Sequence, residues 1–260
     1  MLRLLVPLLA AALVTSCVSG GAVAPEVRAQ LAPTGELRAG MNTGNTLFTT
    51  KQASGELQGV SVDIMAELAR RLGVPLKMVV YATPGEVADE VAADKWDVAI
   101  LAIEQTRAEK IAFTPPMTQI EASYLVPPAS KLKRVEDIDA PGVRVAVAEK
   151  AGYDPVLTRN LKHAKLQRAK GQDATFEMFR GEKLDAMAGL KPMLLNFQQK
   201  YPGSQVVEGR FMTVTHGLGT PRARTAGAEY LAAFVEDMNK SGFIARSIER
   251  HQVKGLSAIR

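Results

Sequence analysis

The chain has 260 residues, 47% of them hydrophobic and 23% charged, which suffices for one large domain or two lobes with separate cores and excludes a disordered chain. Its 32 basic and 27 acidic residues are interspersed, so the formal charge of +5 reads as a mixed, solvated surface; with only 5% aromatics there is no stripe of stacking rings suited to nucleic acid. The lone cysteine is Cys17, which removes disulfides, thiolate catalysis and cysteine metal clusters from the rest of the chain.

Residues 1–21, MLRLLVPLLAAALVTSCVSGG, carry one basic residue, Arg3, and then an apolar run from Leu4 to Val14 that is too short to span a bilayer and reads as an export signal. Val14-Thr15-Ser16 before Cys17 resembles a bacterial lipobox, which implies a lipid anchor on Cys17. Cleavage after Ala22-Val23-Ala24 as a plain signal peptide is the alternative. Residues Val18–Ala32 lack periodicity and read as a tether.

From Gly35 onward short strands alternate with helices. Leu37–Met41 is a strand and Ser54-Gly55 a turn. Val60–Leu72 sets Val62, Ile64, Met65, Leu68 and Leu72 at helical spacing, with Gly73 and Pro75 as stop signals. Leu76–Tyr81 is a strand. Thr83-Pro84 caps and opens a helix to Ala93, and Val98–Ile103 is a buried strand. The second half repeats this order: Val143–Val147 strand, Tyr153–Leu161 helix, Ala174–Arg180 helix, Leu184–Ala188 strand, Pro192–Lys200 helix. Ala226–Glu249 is helical, broken at Ser241-Gly242. Such alternation implies an α/β protein with parallel sheets covered by helices.

LRAGMNTGNTLF, GELQGVSVDIMAELARRLGV and KWDVAILAIEQTRAEKIAFTPPM occur in the order and near the separations of motifs in the extracellular solute-binding proteins, family 3, of ABC importers. The chain resembles that family from about Gly35 to its end, through VEDIDAPGVRVAVAE, LDAMAG and SGFIARSIERH. The resemblance implies a type II periplasmic-binding-protein fold: two lobes, each with a central sheet flanked by helices, joined by two hinge crossings near Met117–Glu121 and Gly209–Val214. On that basis residues 1–17 are the signal peptide and lipobox, 18–33 the tether, 34–117 and 215–260 the first lobe, and 118–214 the second. It further implies a monomer that binds a small solute, needs no cofactor, and has an ABC transporter permease as partner.

Arg107, followed at the family's spacing by Phe113, corresponds to the arginine that grips the ligand's carboxylate. A guanidinium suits this because its planar fork of donors matches two carboxylate oxygens. Pairing of Arg107 with Glu104 or Glu109 on the surface is the alternative. The family's ammonium-binding acid is replaced by Leu190, with Lys191 after it. The aromatic of the first strand's end is replaced by Asn45, in the segment that begins at Asn42. The tyrosine of the F-S-x-P-Y motif is Met117, and the threonine before the arginine is Glu104. These departures predict a more polar, less aromatic pocket, with Glu104 or Glu121 receiving a cation or lying on the surface. In the second lobe the turn at Ala151-Gly152 is expected to aim amides at the ligand, with Tyr153 covering it or packing. His216 lies near the second crossing or is an ordinary strand residue.

Other chemistries find little footing. His163, His216 and His251 are far apart and form no zinc pattern, and there is neither a G-x-S-x-G elbow nor a phosphate loop. Two alternatives share the fold: a periplasmic cyclohexadienyl-dehydratase-like lyase using Glu104 or Glu121 as its acid, and a ligand sensor.

Overall fold

The computed structural model describes residues 23–259; the export signal and Cys17 lie outside them. In chain order the helices are α1 (Pro25–Leu31), α2 (Val60–Leu72), α3 (Pro84–Asp89), α4 (Gln105–Ala108), α5 (Asp154–Asn160), α6 (Gln172–Gly181), α7 (Lys191–Lys200), α8 (Thr225–Lys240) and α9 (Phe243–Arg250). The main strands are β1 (Leu37–Asn42), β2 (Thr50–Lys51), β3 (Leu57–Gln58), β4 (Leu76–Tyr81), β5 (Val98–Ala102), β6 (Ile111–Phe113), β7 (Thr118–Val126), β8 (Arg144–Ala148), β9 (Lys165–Ala169), β10 (Ala186–Leu190), β11 (Gln205–Val206), β12 (Met212–Pro221) and β13 (Ser257–Ala258).

Local chemistry accounts for most of these bounds. Helix α2 buries Ile64, Met65, Leu68 and Leu72 completely and stops at Gly73, whose left-handed φ of 67° favours a residue without a Cβ. Helix α3 opens on a reciprocal cap: Thr83 accepts from the Glu86 amide, and Glu86 accepts from the Thr83 amide.

One continuous sheet runs in the order β4-β1-β5-β12-β7-β10-β8-β9. Its two ends mirror each other. β4, β1 and β5 are parallel, as are β10, β8 and β9, and each trio meets a long antiparallel strand, β12 or β7. These two strands pair with each other from Met212↔Ala122 to His216↔Thr118 and join the lobes, with the short β13 pairing beside them on β7. Burial alternates along β7, so that Thr118, Ile120 and Ala122 face inward while Gln119 and Glu121 face outward. Val214 and His216 of β12 are likewise buried, between the less buried Thr213 and Thr215.

The expected tether is corrected in its second part. Residues 25–31 form α1, which packs on α8: Leu31 is fully buried and the Gln30 side-chain oxygen Oε1 accepts from the Gly227 amide at 2.9 Å. A Cβ on Gly227 would stand 2.7 Å from Leu31, so close approach of the two helices depends on that glycine.

Aspartate 97, at the head of β5, anchors the first lobe. It is fully buried and accepts from Arg38 at 2.7 and 3.0 Å and from Arg224 at 2.6 Å, tying β1 to the start of α8.

Candidate functional site

Between the lobes lies a closed cavity with about 50 Å³ of space for the centres of water-sized molecules. The first lobe supplies the end of β1 with Asn42 and Asn45, the loop at Phe48-Thr49, Ser61 of α2, Ile100 and Ala102 of β5, and Arg107 of α4. The second supplies Ala151, Gly152, Tyr153, Gln172, Leu190 and Met193; Val214 and His216 come from β12.

Arg107 is only 8% exposed. Its guanidinium donates to the carbonyl of Ala102 at 3.2 Å and, across the gap, to that of Lys150 at 2.7 Å. Lys150 presents that carbonyl from a left-handed backbone, φ 57°, an uncommon conformation for a residue with a Cβ. Burial pushes the Arg107 pKa down to about 10, against the opposing pull of Glu104 and Asp89; the side chain is therefore a cation at neutral pH. It has no ion-pair partner among the described residues, neither Glu104 nor Glu109. An unneutralised buried cation of this kind is characteristic of functional sites.

The remaining polar groups divide into satisfied and unsatisfied ones. Asn42 accepts from the Gly44 amide at 3.0 Å and Asn45 from the Leu47 amide at 3.3 Å, so both side-chain carbonyls shape their own loop. Ser61 donates to the Phe48 carbonyl at 2.9 Å; since a hydroxyl has one proton, Thr49 donates to Ser61 at 2.6 Å. Gln172 donates to the Tyr153 hydroxyl at 2.8 Å, and burial raises the Tyr153 pKa well above its ordinary value. Two buried atoms on cavity residues have no partner among the described residues: the Gln172 carbonyl oxygen Oε1 and His216 Nδ1. His216 is 5% exposed, its ring centre 4.8 Å from that of Phe48. Desolvation first, and the Arg107 charge second, lower its pKa to about 3. It is neutral.

The lobes are held shut at the rim and at the cavity itself. Lys150 pairs with Asp89 at 2.5 Å and Lys170 with Glu86 at 2.7 Å. Gly152 sits so close to Ala102 that a Cβ would lie 2.4 Å from the Ala102 Cβ.

Of the residues expected from sequence, the structure brings Arg107, Asn42, Asn45, Ala151, Gly152 and Tyr153 to this cavity. The expected free amide of Ala151 is corrected: it donates to the Ala148 carbonyl at 3.1 Å. Four others are placed elsewhere. Met117 is fully buried in the core. The Glu104 carboxylate caps α4 by accepting from the Thr106 amide. Glu121 and Lys191 pair with each other at 3.2 Å in a separate groove, where Arg210 also reaches Glu121 at 2.9 Å; the outward-facing phase of β7 puts Glu121 there. Pairing with Lys191 first, and Arg210 as well, lowers the Glu121 pKa, the opposite of what a general acid needs. Sequence reasoning missed Phe48, Gln172 and Met193. Phe48 stands three residues after the vacant aromatic position at Asn45, in TLF, and was the one with a readable signal.

Comparison with known proteins agrees with this fold. Residues 37–254 match the model of the bacterial extracellular solute-binding proteins, family 3. The chain belongs to that family. Among solved structures, a mutant of ArgBP from T. maritima is similar with TM-score 0.72 and 25% identity over 86% of this chain and 98% of the other. A putative ABC-transporter binding component from Wolinella succinogenes complexed with lysine is similar with TM-score 0.71 and 24% identity over 84% and 95%. The ancestral amino acid-binding protein AncCDT-1, a precursor of cyclohexadienyl dehydratase, gives 0.70 and 23% over 83% and 94%. A search of curated proteins returned no match. Among the described residues no helix is long and apolar enough to cross a membrane, and no group of three or more His, Cys, Asp or Glu could hold a metal ion.

Proposed function

We propose that this family 3 protein is the exported solute-binding component of an ABC importer, and that it encloses a small carboxylate-bearing solute with its anion on Arg107. One observation carries the proposal: a buried arginine faces the interlobe cavity without a carboxylate partner among the described residues, and donates to carbonyls from both lobes. A carboxylate there would neutralise the guanidinium through charge-assisted bonds in a desolvated site. Closure around it would create the surface a permease recognises. The export signal at residues 1–17, with or without lipidation of Cys17, would deliver the chain to the periplasm.

Similarity to a dehydratase precursor keeps a lyase as the second reading. It is weakened because its two candidate acids, Glu104 and Glu121, lie outside the cavity wall. A thermal-shift screen of amino acids, organic acids and polyamines tests the binding role. A true ligand at a hundredfold its Kd stabilises by about 2.7 kcal/mol, roughly 5–10 °C for a chain of this size. No shift with any of them, or turnover of prephenate, would overturn it.

A further inference from the structure

The wall of the cavity has one charge and it is positive. Among the described residues no aspartate or glutamate lines it. The position at the mouth of α7, from which a side chain reaches the cavity, is Leu190, itself only 5% exposed. Arg107 is the cation, and His216 beside it stays neutral, its pKa pressed to about 3 by burial and by the Arg107 charge. The desolvation and, after it, the Arg107 charge that keep a proton off His216 also disfavour an ammonium group buried beside it. A zwitterion could satisfy Arg107 with its carboxylate, but its ammonium would then be buried without a counter-charge, which is strongly unfavourable.

The unsatisfied atoms define the rest of the ligand. Two of the five guanidinium N–H donors go to carbonyls, leaving three for an anion. Gln172 Oε1 is an acceptor without a donor, and neutral His216 has Nδ1 without a partner. Gln172 Oε1 suits a hydroxyl donor, and His216 Nδ1, when it carries the ring proton, suits either a hydroxyl or a carbonyl oxygen. Ile100, Met193, Val214 and Leu190 add an apolar side. With about 50 Å³ for water-sized centres, and one such centre needing about 10–15 Å³, the closed cavity takes only a handful of heavy atoms.

We infer that the solute is a short 2-hydroxy or 2-oxo monocarboxylate without an amino group, with its carboxylate on Arg107, its 2-oxygen toward His216 and, in a hydroxy acid, the hydroxyl proton donated to Gln172 Oε1. This deepens the binding role proposed above and depends on it.

The test pairs ligands of one skeleton, measured by isothermal titration on the full folded chain: L-lactate, pyruvate and glycolate against L-alanine and glycine. The expected result is a Kd for at least one hydroxy or oxo acid that is a hundredfold or more below that of its amino counterpart. Leu190→Asp, which supplies the missing negative charge, should narrow or reverse that ratio. Binding of alanine, glycine, arginine or lysine as tight as or tighter than the hydroxy and oxo acids would overturn this ligand class while leaving the binding role standing. Absence of binding by every acid and amino acid tried would sink both. Unaltered selectivity in a folded Leu190→Asp chain would also count against the electrostatic basis.

Discussion

Substituting Gly152 by alanine tests whether the closed cavity is the binding state. The new methyl would lie 2.4 Å from the Ala102 Cβ, where ordinary contact begins at 3.4 Å. Both neighbours are backbone-fixed Cβ atoms, so no rotamer relieves the overlap and the lobes must part by about 1 Å at this point. The bond from Arg107 to the Lys150 carbonyl, now 2.7 Å, would then lengthen to about 3.7 Å, beyond hydrogen-bond range. Loss of a hydrogen bond from a charged donor costs about 1.5–3 kcal/mol, so the Kd for the solute that shifts the melt most should rise roughly tenfold to hundredfold. Gly152 does not have a positive φ, so alanine brings no backbone strain and the unliganded chain should keep its stability. Removing the opposing methyl should restore binding: in the Ala102→Gly, Gly152→Ala double variant the next nearest atoms are 3.7 and 3.9 Å away. Titration calorimetry on the single and double variants reads this directly. A Gly152→Ala chain that binds as the parent does, or a double variant that is not rescued, would refute closure at this contact.

Other outcomes follow from buried charge. Asp97→Ala leaves Arg38 and Arg224 without their shared buried carboxylate and should destabilise by about 3–5 kcal/mol in urea titrations; a loss under 1 kcal/mol would contradict its anchoring role. His216 has a folded pKa of about 3 against 6.5 unfolded. Between those values the unfolded chain binds the extra proton, so the contribution is complete above pH 6.5 and falls as pH is lowered toward 3. At pH 5 that amounts to about 2 kcal/mol, and His216→Gln should flatten the stability profile between pH 7 and 5 by about this much. An unchanged slope would place His216 in a wetter setting. Lys150 and Asp89, both more than half exposed, should contribute little; Lys150→Ala is expected to change stability by less than about 1 kcal/mol, with the remaining effect fading at high salt.

Much of the fold was legible because local signals agree with the final packing. Helix α2 was read to the residue, since its apolar spacing, its charged face and Gly73 all point to the same element. The hinge strands β7 and β12 were placed only as crossings. Their alternation holds where they pair with each other and gives way to unbroken burial where β7 runs beside β10 and β12 beside β5. The short α1 was read as a tether because seven residues show no period; its stability comes from contact with α8, nearly 200 residues away in the chain. At the site, Arg107 was readable from its spacing to Phe113, and Leu190 as a departure with chemical meaning. Gln172 and Met193 were not, because only lobe closure brings them to one cavity. Glu121 was misplaced for a smaller reason: it sits between the buried Ile120 and Ala122, and one position turns a side chain to the opposite face of a strand; Lys191 follows the cavity-lining Leu190 as the first residue of α7.

The most direct measurement is the dissociation constant of that same solute for the parent chain and for Arg107→Met, which keeps the volume of the stem and removes the charge. Removing one partner of a buried charge pair costs about 2–5 kcal/mol, so binding should weaken by about thirtyfold or more, with the salt dependence lost. An Arg107→Met chain that folds and binds with an undiminished Kd would contradict the account at its centre.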